Sequence, residues 1–431
     1  MLHRFLKTRW VGVFASLSLV ACSGAGSVPV VSSIAAGSAL RSNVDSRTAL
    51  RPEVPGYSVL FVFKNAPGSY ANGALPLAGL TASKGVLYGT TSIGGGNCKF
   101  GINNDGCGTI FTFSPTSNKQ QTISAFANAP LDGNGPRSNL LSFNGKLYGT
   151  TYFGGKSSTE VGTLGYGVIY SVDPTSGARL TVYRFMGGTK DGKNPAAGLI
   201  AVGGKLYGTT QFGGNSCFQH RNWCGVLYSF DPATGKEAVA FSFTTSSGWG
   251  PQASLVNVGK VLYGTTGSGT VFSYDPATGI ERTVYSFQGN PQNPVAPLLA
   301  INGRLYGTTK TGGIGFGSVF EVNAANGREH TLYSFRGGSD GANPVAGLTV
   351  FKGMFFGTTL EGGEGGISPG HGTVFSIKPS SGEEAVLHSF RGGRDGASPY
   401  AGLTVVENAL YGTTGAQTQE RSDGTVFKIT P

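Results

Sequence analysis

A five-residue phrase, Leu87-Tyr88-Gly89-Thr90-Thr91, recurs seven times along the chain. Later copies begin at Leu147, Leu206, Leu262, Leu305, Phe355 (as Phe-Phe-Gly-Thr-Thr) and Leu410, and successive starts lie 60, 59, 56, 43, 50 and 55 residues apart. A period of this size describes one supersecondary unit that cannot bury its own apolar faces, so neighbouring units must stack.

The surroundings of the phrase are periodic too. Downstream of each copy a strand opens with Gly, a small or β-branched residue, an apolar residue and an aromatic, as in Gly167-Val168-Ile169-Tyr170 and Gly372-Thr373-Val374-Phe375. Several of these strands run into a tight turn such as Asp231-Pro232-Ala233-Thr234-Gly235, where Pro presets φ and Gly accepts a positive one. A further strand ends in Phe (Val182 to Phe185, Val284 to Phe287, Leu332 to Phe335, Leu387 to Phe390), and a Gly-rich turn then leads into the next apolar run. Each unit thus holds four short strands, A to D, with the phrase on B, and no stretch carries the period of a capped helix. Four strands per repeat and seven repeats predict an all-β, seven-bladed β-propeller. The first structured segment, 57–63, matches a D strand, whereas the chain ends on a C strand. The N-terminal strand is therefore expected to complete the last blade and remove an exposed sheet edge.

Gly is 72 of 431 residues, but it is periodic and reads as turns and close contacts, and charged residues make up only 13%, as suits sheets buried on both faces. The N-terminus has another character. Arg4, Lys7 and Arg9 precede an apolar run from Val11 to Val20, and Leu19-Val20-Ala21-Cys22 follows. This describes an export signal over 1–21, and Cys22 after small residues resembles the bacterial lipobox, which implies lipidation of that thiol. Ser23 after it implies, by the same resemblance, transit to the outer membrane. Residues 22–55, rich in Ser, Ala, Gly and Val, read as a lipidated tether, and 56–431 as the propeller. Removing the leader lowers the formal charge from +10 to +7; what remains is scattered, so a nucleic-acid role is not expected. Cys98 and Cys107, and Cys217 and Cys224, occupy the same B–C slot of blades one and three, and read as two loop-stapling disulfides of an oxidising compartment.

The seven phrases, together with the Gly-Gly-x-Asp-Gly-x-Asn-Pro-x-Ala-Gly-Leu turn at 337–348 and its relative at 187–198, resemble the GloVer tandem repeat of "choice-of-anchor" bacterial exported proteins. The likeness covers about 57 to 431. It implies a propeller-like surface protein, with the lipobox as the anchor here, and no known reaction. Blades four and five depart from the turn pattern at Gly248-Trp249-Gly250-Pro251 and Gly289-Asn290-Pro291-Gln292-Asn293-Pro294.

Function is expected where the repeat breaks. Between the second Thr of the phrase and the Gly of strand C, the B–C loops hold 16, 15, 14, 2, 7, 12 and 9 residues, which would make an asymmetric groove on one face. The expected ligand contacts are Phe100, Asn104 and Asp105; Tyr152 and Phe153; Phe212, His220, Arg221 and Trp223; and Glu361, Glu364 and His371. Such aromatic, Arg and amide residues suit stacking on sugars or anchoring a protein. The expected role is an envelope-anchored binding module for a polysaccharide or envelope protein, acting as a monomer without cofactor or metal. A structural envelope protein, or a polysaccharide hydrolase or lyase using Asp105, Glu160 and Glu361, are the alternatives. No catalytic residue is assigned. Ser339 sits in a repeat turn that has Thr189 and Arg394 at sister positions, and Asp132, Asp191, Asp340 and Asp395 read as turn residues before calcium ligands.

Overall fold

The recurrent phrase works through one cross-strand contact. In every blade its Gly lies opposite the strand C aromatic: Gly89 faces Phe111, Gly208 faces Tyr228 and Gly307 faces Phe320. A Cβ on Gly89 would come within 2.4 Å of Phe111 Cζ, so the ring lies over the bare backbone. The Leu of the phrase is fully buried beside it, and both threonines are at most 1% exposed in all seven copies.

The structure, a computed structural model, describes residues 56–63, 72–96, 98, 106–127, 132–155, 165–214, 224–288, 292–364, 370–415 and 423–431. Among them, seven antiparallel sheets form the blades, six of four strands and that of blade two of five, where Gly133–Pro136 also pairs with strand B, beside a short pair of Gly192–Lys193 with Phe212–Gly213. Their B strands are Val86–Thr91, Lys146–Gly154, Lys205–Thr210, Val261–Thr266, Arg304–Thr309, Met354–Thr359 and Ala409–Thr414. The D strands of blades one to six are Lys119–Ala125, Arg179–Arg184, Lys236–Ser242, Ile280–Ser286, Glu329–Ser334 and Glu384–Ser389. Blade seven takes its fourth strand from the N-terminal side: Tyr57–Val62 pairs antiparallel with Thr425–Ile429. The expected seven-bladed ring, closed by this strand, is what the structure has.

Each C–D pair carries one register shift, as between Val319 and Phe320, so every D strand holds one extra residue. Such bulges sharpen the right-handed twist that a blade needs between its inner and outer edges. The core lies between blades. The Phe that ends each D strand meets the strand C aromatic of the next blade edge-on: Phe126 with Tyr170 at 5.1 Å, Phe243 with Phe272 at 4.9 Å, Phe335 with Phe375 at 5.1 Å. The same contact closes the ring, from Phe63 in blade seven to Phe111 in blade one at 5.3 Å. Hydrogen bonds run the same way: Thr308 Oγ1 donates to the Ala346 carbonyl of the next blade, and Thr413 Oγ1 to Ala78 across the closure.

Candidate functional site

One face of the ring is built from the D–A turns and the B–C loops. In a given blade the two pair with each other: Gly192 and Lys193 with Phe212 and Gly213, Ala342 with Glu361, Ala397 with Gly415. The turn's Asp-Gly and the strand's Thr-Thr are two halves of one contact. Gly341 rests on Thr359 and Thr373, so that a Cβ there would come within 2.6 Å of the Thr359 hydroxyl. Those two hydroxyls bond each other at 2.8 Å, as do Thr91 with Thr109 and Thr414 with Thr425.

The turn aspartates are clasps. Asp340 accepts from the Arg336 amide at 2.6 Å and the Tyr333 hydroxyl at 2.6 Å; Asp191 accepts from the Met186 and Gly192 amides and the Tyr183 hydroxyl. Asp132 is bridged by Arg179 of blade two at 2.5 and 2.8 Å, and Asp395 accepts from the Arg391 amide and faces His388 at 3.2 Å. The residue six before the final Phe of the next D strand reaches this clasp. It is Arg179 at Asp132, but Glu237 beside Asp191 and Glu384 beside Asp340. Burial first, then the neighbouring aspartate, pushes Glu237 and Glu384 up to about 7.

At the centre of the ring the strand A approaches of all seven blades line a channel of about 250 Å³. Its lining is backbone, Ala, Val and Leu with Ser, Thr and Asn139 among them, and its larger side chains are Arg137, Gln252 and Tyr400. These three share one register position, the residue after the Pro that opens each strand A approach. Beside them, Tyr152 follows the Thr-Thr of blade two. Its hydroxyl donates to Gln211 Oε1 at 2.5 Å, and its carbonyl accepts from Asn194 Nδ2 at 2.7 Å. The Arg137 guanidinium lies 4.8 Å over the Tyr152 ring and 5.9 Å from the Phe153 ring centre. Burial raises the Tyr152 hydroxyl's pKa, with Arg137 opposing, so the phenol stays protonated.

The sequence profile of the Gloeobacter/Verrucomicrobia repeat matches residues 157–315 and 266–431, together more than half of the chain. The chain belongs to that repeat family. The likeness to the GloVer repeat drawn from the phrase and the turn is thereby shown. No curated protein matches the sequence. Among solved structures, the extracellular domain of a one-component system from B. thetaiotaomicron superposes with a TM-score of 0.53 at 10% identity. The match covers 88% of this chain and 40% of that one, so the chain spans less than half of that solved structure. The computationally designed Ika8 protein (TM-score 0.48, 12% identity, 86% of this chain and 100% of that one) and BamB from Moraxella catarrhalis (0.45, 15%, 82% and 85%) are similar more loosely. At these identities the likeness is one of fold alone.

In this Gloeobacter/Verrucomicrobia repeat chain, the expected contacts divide in three. Phe100, Asn104, Asp105, Glu160, His220, Arg221 and Trp223, like the lipobox Cys22, lie outside the described residues. Tyr152 and Phe153 stand together by the channel mouth with Arg137, 4.7 Å apart and edge-on. Phe212 and Glu361 belong partly to the frame: Phe212 pairs with Lys193, and Glu361 Oε2 accepts from Asn343 Nδ2 at 2.7 Å. The His371 carbonyl accepts from the Ser398 amide, and Glu364 sits in the described start of the blade-six loop. Cys98 and Cys107 form the expected disulfide. Cys224 is disulfide-bonded as well, while Cys217 lies outside the described residues.

Arg137, Gln252, Tyr400 and Trp249 stand on the same face but outside the B–C loops, and Phe316 ends the short B–C loop of blade five. The first three sit on strand A approaches and Trp249 in a D–A turn, so B–C loop length carries no sign of them. For Arg137, Gln252 and Tyr400 the signal was present in the sequence as a break in the apolar residue after the Pro. Sister positions carry Leu77, Ala196, Val295 and Val345.

Proposed function

We propose that this propeller is a binding module of the bacterial envelope, lipidated at Cys22, and that its ligand, a glycan or an envelope protein, engages the loop face. One observation carries the reading. Among the described residues, the three most exposed large aromatics, Trp249 at 43%, Phe316 at 44% and Tyr400 at 42%, all belong to D–A turns, B–C loops or the channel mouth. Met186 and Ile314 are exposed on the same loops. Exposed aromatics gathered on one face of a rigid frame suit stacking and anchoring. The turn aspartates Asp132, Asp191, Asp340 and Asp395 are meanwhile each engaged by backbone amides of their own turn, which speaks against catalysis by them.

A glycan array and an envelope pull-down with the full chain test this. One polysaccharide or envelope protein should bind, and Trp249→Ala with Phe316→Ala should weaken it by over about tenfold. Arg221→Ala with Trp223→Ala should do the same from the blade-three loop. Absence of any ligand in both assays would favour a structural envelope role. Turnover of an array glycan that is abolished by Asp105→Asn or Glu361→Gln would favour an enzyme.

A further inference from the structure

We infer that the mouth of the axial channel recognises a uronic acid residue of an acidic glycan, with Arg137 as its carboxylate anchor. The inference deepens the binding function proposed above and rests on it.

Arg137 is exposed, and among the described residues its guanidinium makes ring contacts with Tyr152 and Phe153 and no ion pair. Stacking on an aromatic uses the guanidinium's flat face and leaves its edge of N–H donors for a planar acceptor, the geometry a carboxylate fills with two parallel bonds. The platform beneath is preorganised. Tyr152 is held at its carbonyl by Asn194 and at its hydroxyl by Gln211, both from blade three. Asn194 is buried, and its own amide is tied to the Tyr166 carbonyl. A ligand therefore meets a fixed Tyr–Arg pair and need not order it.

At the two register positions that ring the mouth, the residue after each Pro and the residue after each Thr-Thr, the chain places two cations, Arg137 and Lys310, and no acid. An acid, Glu361, stands at the blade-six position that matches Phe153, but its carboxylate is bonded to Asn343. Gln252 and Tyr400 supply an amide and an aromatic at the same level. A uronate matches this set: its carboxylate takes the guanidinium, its C–H face an aromatic ring, and its hydroxyls the amides. A neutral sugar would leave the cation unused. An acidic peptide would use the cation too, and the polyglutamate arm of the test separates it from a uronate.

Titrating the full chain with oligogalacturonate, an alginate oligomer and a hyaluronan fragment tests this, beside a methyl-esterified oligogalacturonate and a polyglutamate peptide. One uronate probe should bind, esterification should abolish binding, and Arg137→Gln should weaken it at least about tenfold, the size expected for hydrogen bonds to a charged group. Thermal stability should not change, and Arg137→Lys should restore part of the affinity. Lys84→Gln, in the A–B turn of blade one, removes an equal charge elsewhere and should leave binding intact; an equal loss there would reduce the effect to diffuse attraction and overturn the inference. Binding that survives both esterification and Arg137→Gln would also overturn it, while leaving loop-face recognition standing. Capture of polyglutamate alone would overturn it in favour of a protein partner. Failure of all three uronates would overturn it too, and the glycan array and pull-down would then judge the wider reading separately.

Discussion

At the scale of single residues, the phrase is repeated because it is one half of a steric fit. Gly307 has ordinary backbone geometry, yet a Cβ there would come within 2.5 Å of Phe320 Cζ and 2.9 Å of Leu298 Cδ2. Gly303, by contrast, has φ +75° and open space around it. The two glycines are therefore needed for different reasons. Gly307→Ala should cost about 1–3 kcal/mol by overpacking. Gly303→Ala should cost about 1 kcal/mol through its left-handed backbone alone. In urea unfolding, Phe320→Leu should recover part of the loss in the Gly307 variant and none in the Gly303 variant. Recovery in both would refute the distinction.

At the scale of elements, what varies from blade to blade is the charge that D strands bring to the clasps of their neighbours. Where Arg179 meets Asp132, burial disfavours the charge, but the guanidinium and the Ala127 and Gly133 amides hold the carboxyl below its ordinary value. Where Glu237 and Glu384 meet aspartates, the folded state favours the protonated acid instead. A folded pKa of about 7 against an ordinary 4.5 means that the contribution of each Glu is complete below about pH 4.5. It is lost as pH rises through that window. The Asp132 contribution has the opposite sign and is lost only as pH falls below the usual aspartate range. The melting temperature should thus be higher at pH 5 than at pH 8, and Glu237→Gln with Glu384→Gln should reduce the difference, leaving the part due to Glu281, which burial alone raises to about 7. An unchanged pH slope in that double variant would show that the two glutamates are not responsible. The Cys98–Cys107 bridge closes a loop of nine-residue separation, and its reduction should cost roughly 2–3 kcal/mol.

For the whole molecule, the N-terminal strand joins three blades. Tyr57 stacks on His388 of blade six at 3.5 Å and donates to the Asp395 carbonyl. The strand's main chain completes blade seven, and Phe63, fully buried, meets Phe111 of blade one. Phe63→Ala should cost about 3–5 kcal/mol, as for a buried aromatic in a core. Deleting 57–63 should expose the edge of Thr425–Ile429 and drive unfolding or oligomerisation, read by light scattering and thermal melting. A monomer with an unchanged melting temperature would refute closure by this strand.

The amino-acid sequence alone determined the blade count, the strand order within a blade and the route by which the ring closes. Each depends on local, repeated chemistry: a Gly that admits an aromatic, a Pro that starts strand A, a Phe that ends strand D. A strand out of phase at each end of the chain then left one way to pair them. The tertiary structure alone decided three further things. The bulge in every D strand carries no residue signature, because register is set by twist across the whole sheet. The carboxyl pairs Glu237–Asp191 and Glu384–Asp340 join residues of neighbouring blades, which only the packing of sheet on sheet brings together. The grouping of Arg137 with Tyr152, Asn194 and Gln211 likewise spans two blades. The sequence showed Tyr152 and Phe153 as loop aromatics, but the cation that stacks on them precedes strand A, and only the pairing of Gly133–Pro136 with the end of strand B in blade two brings it over their rings.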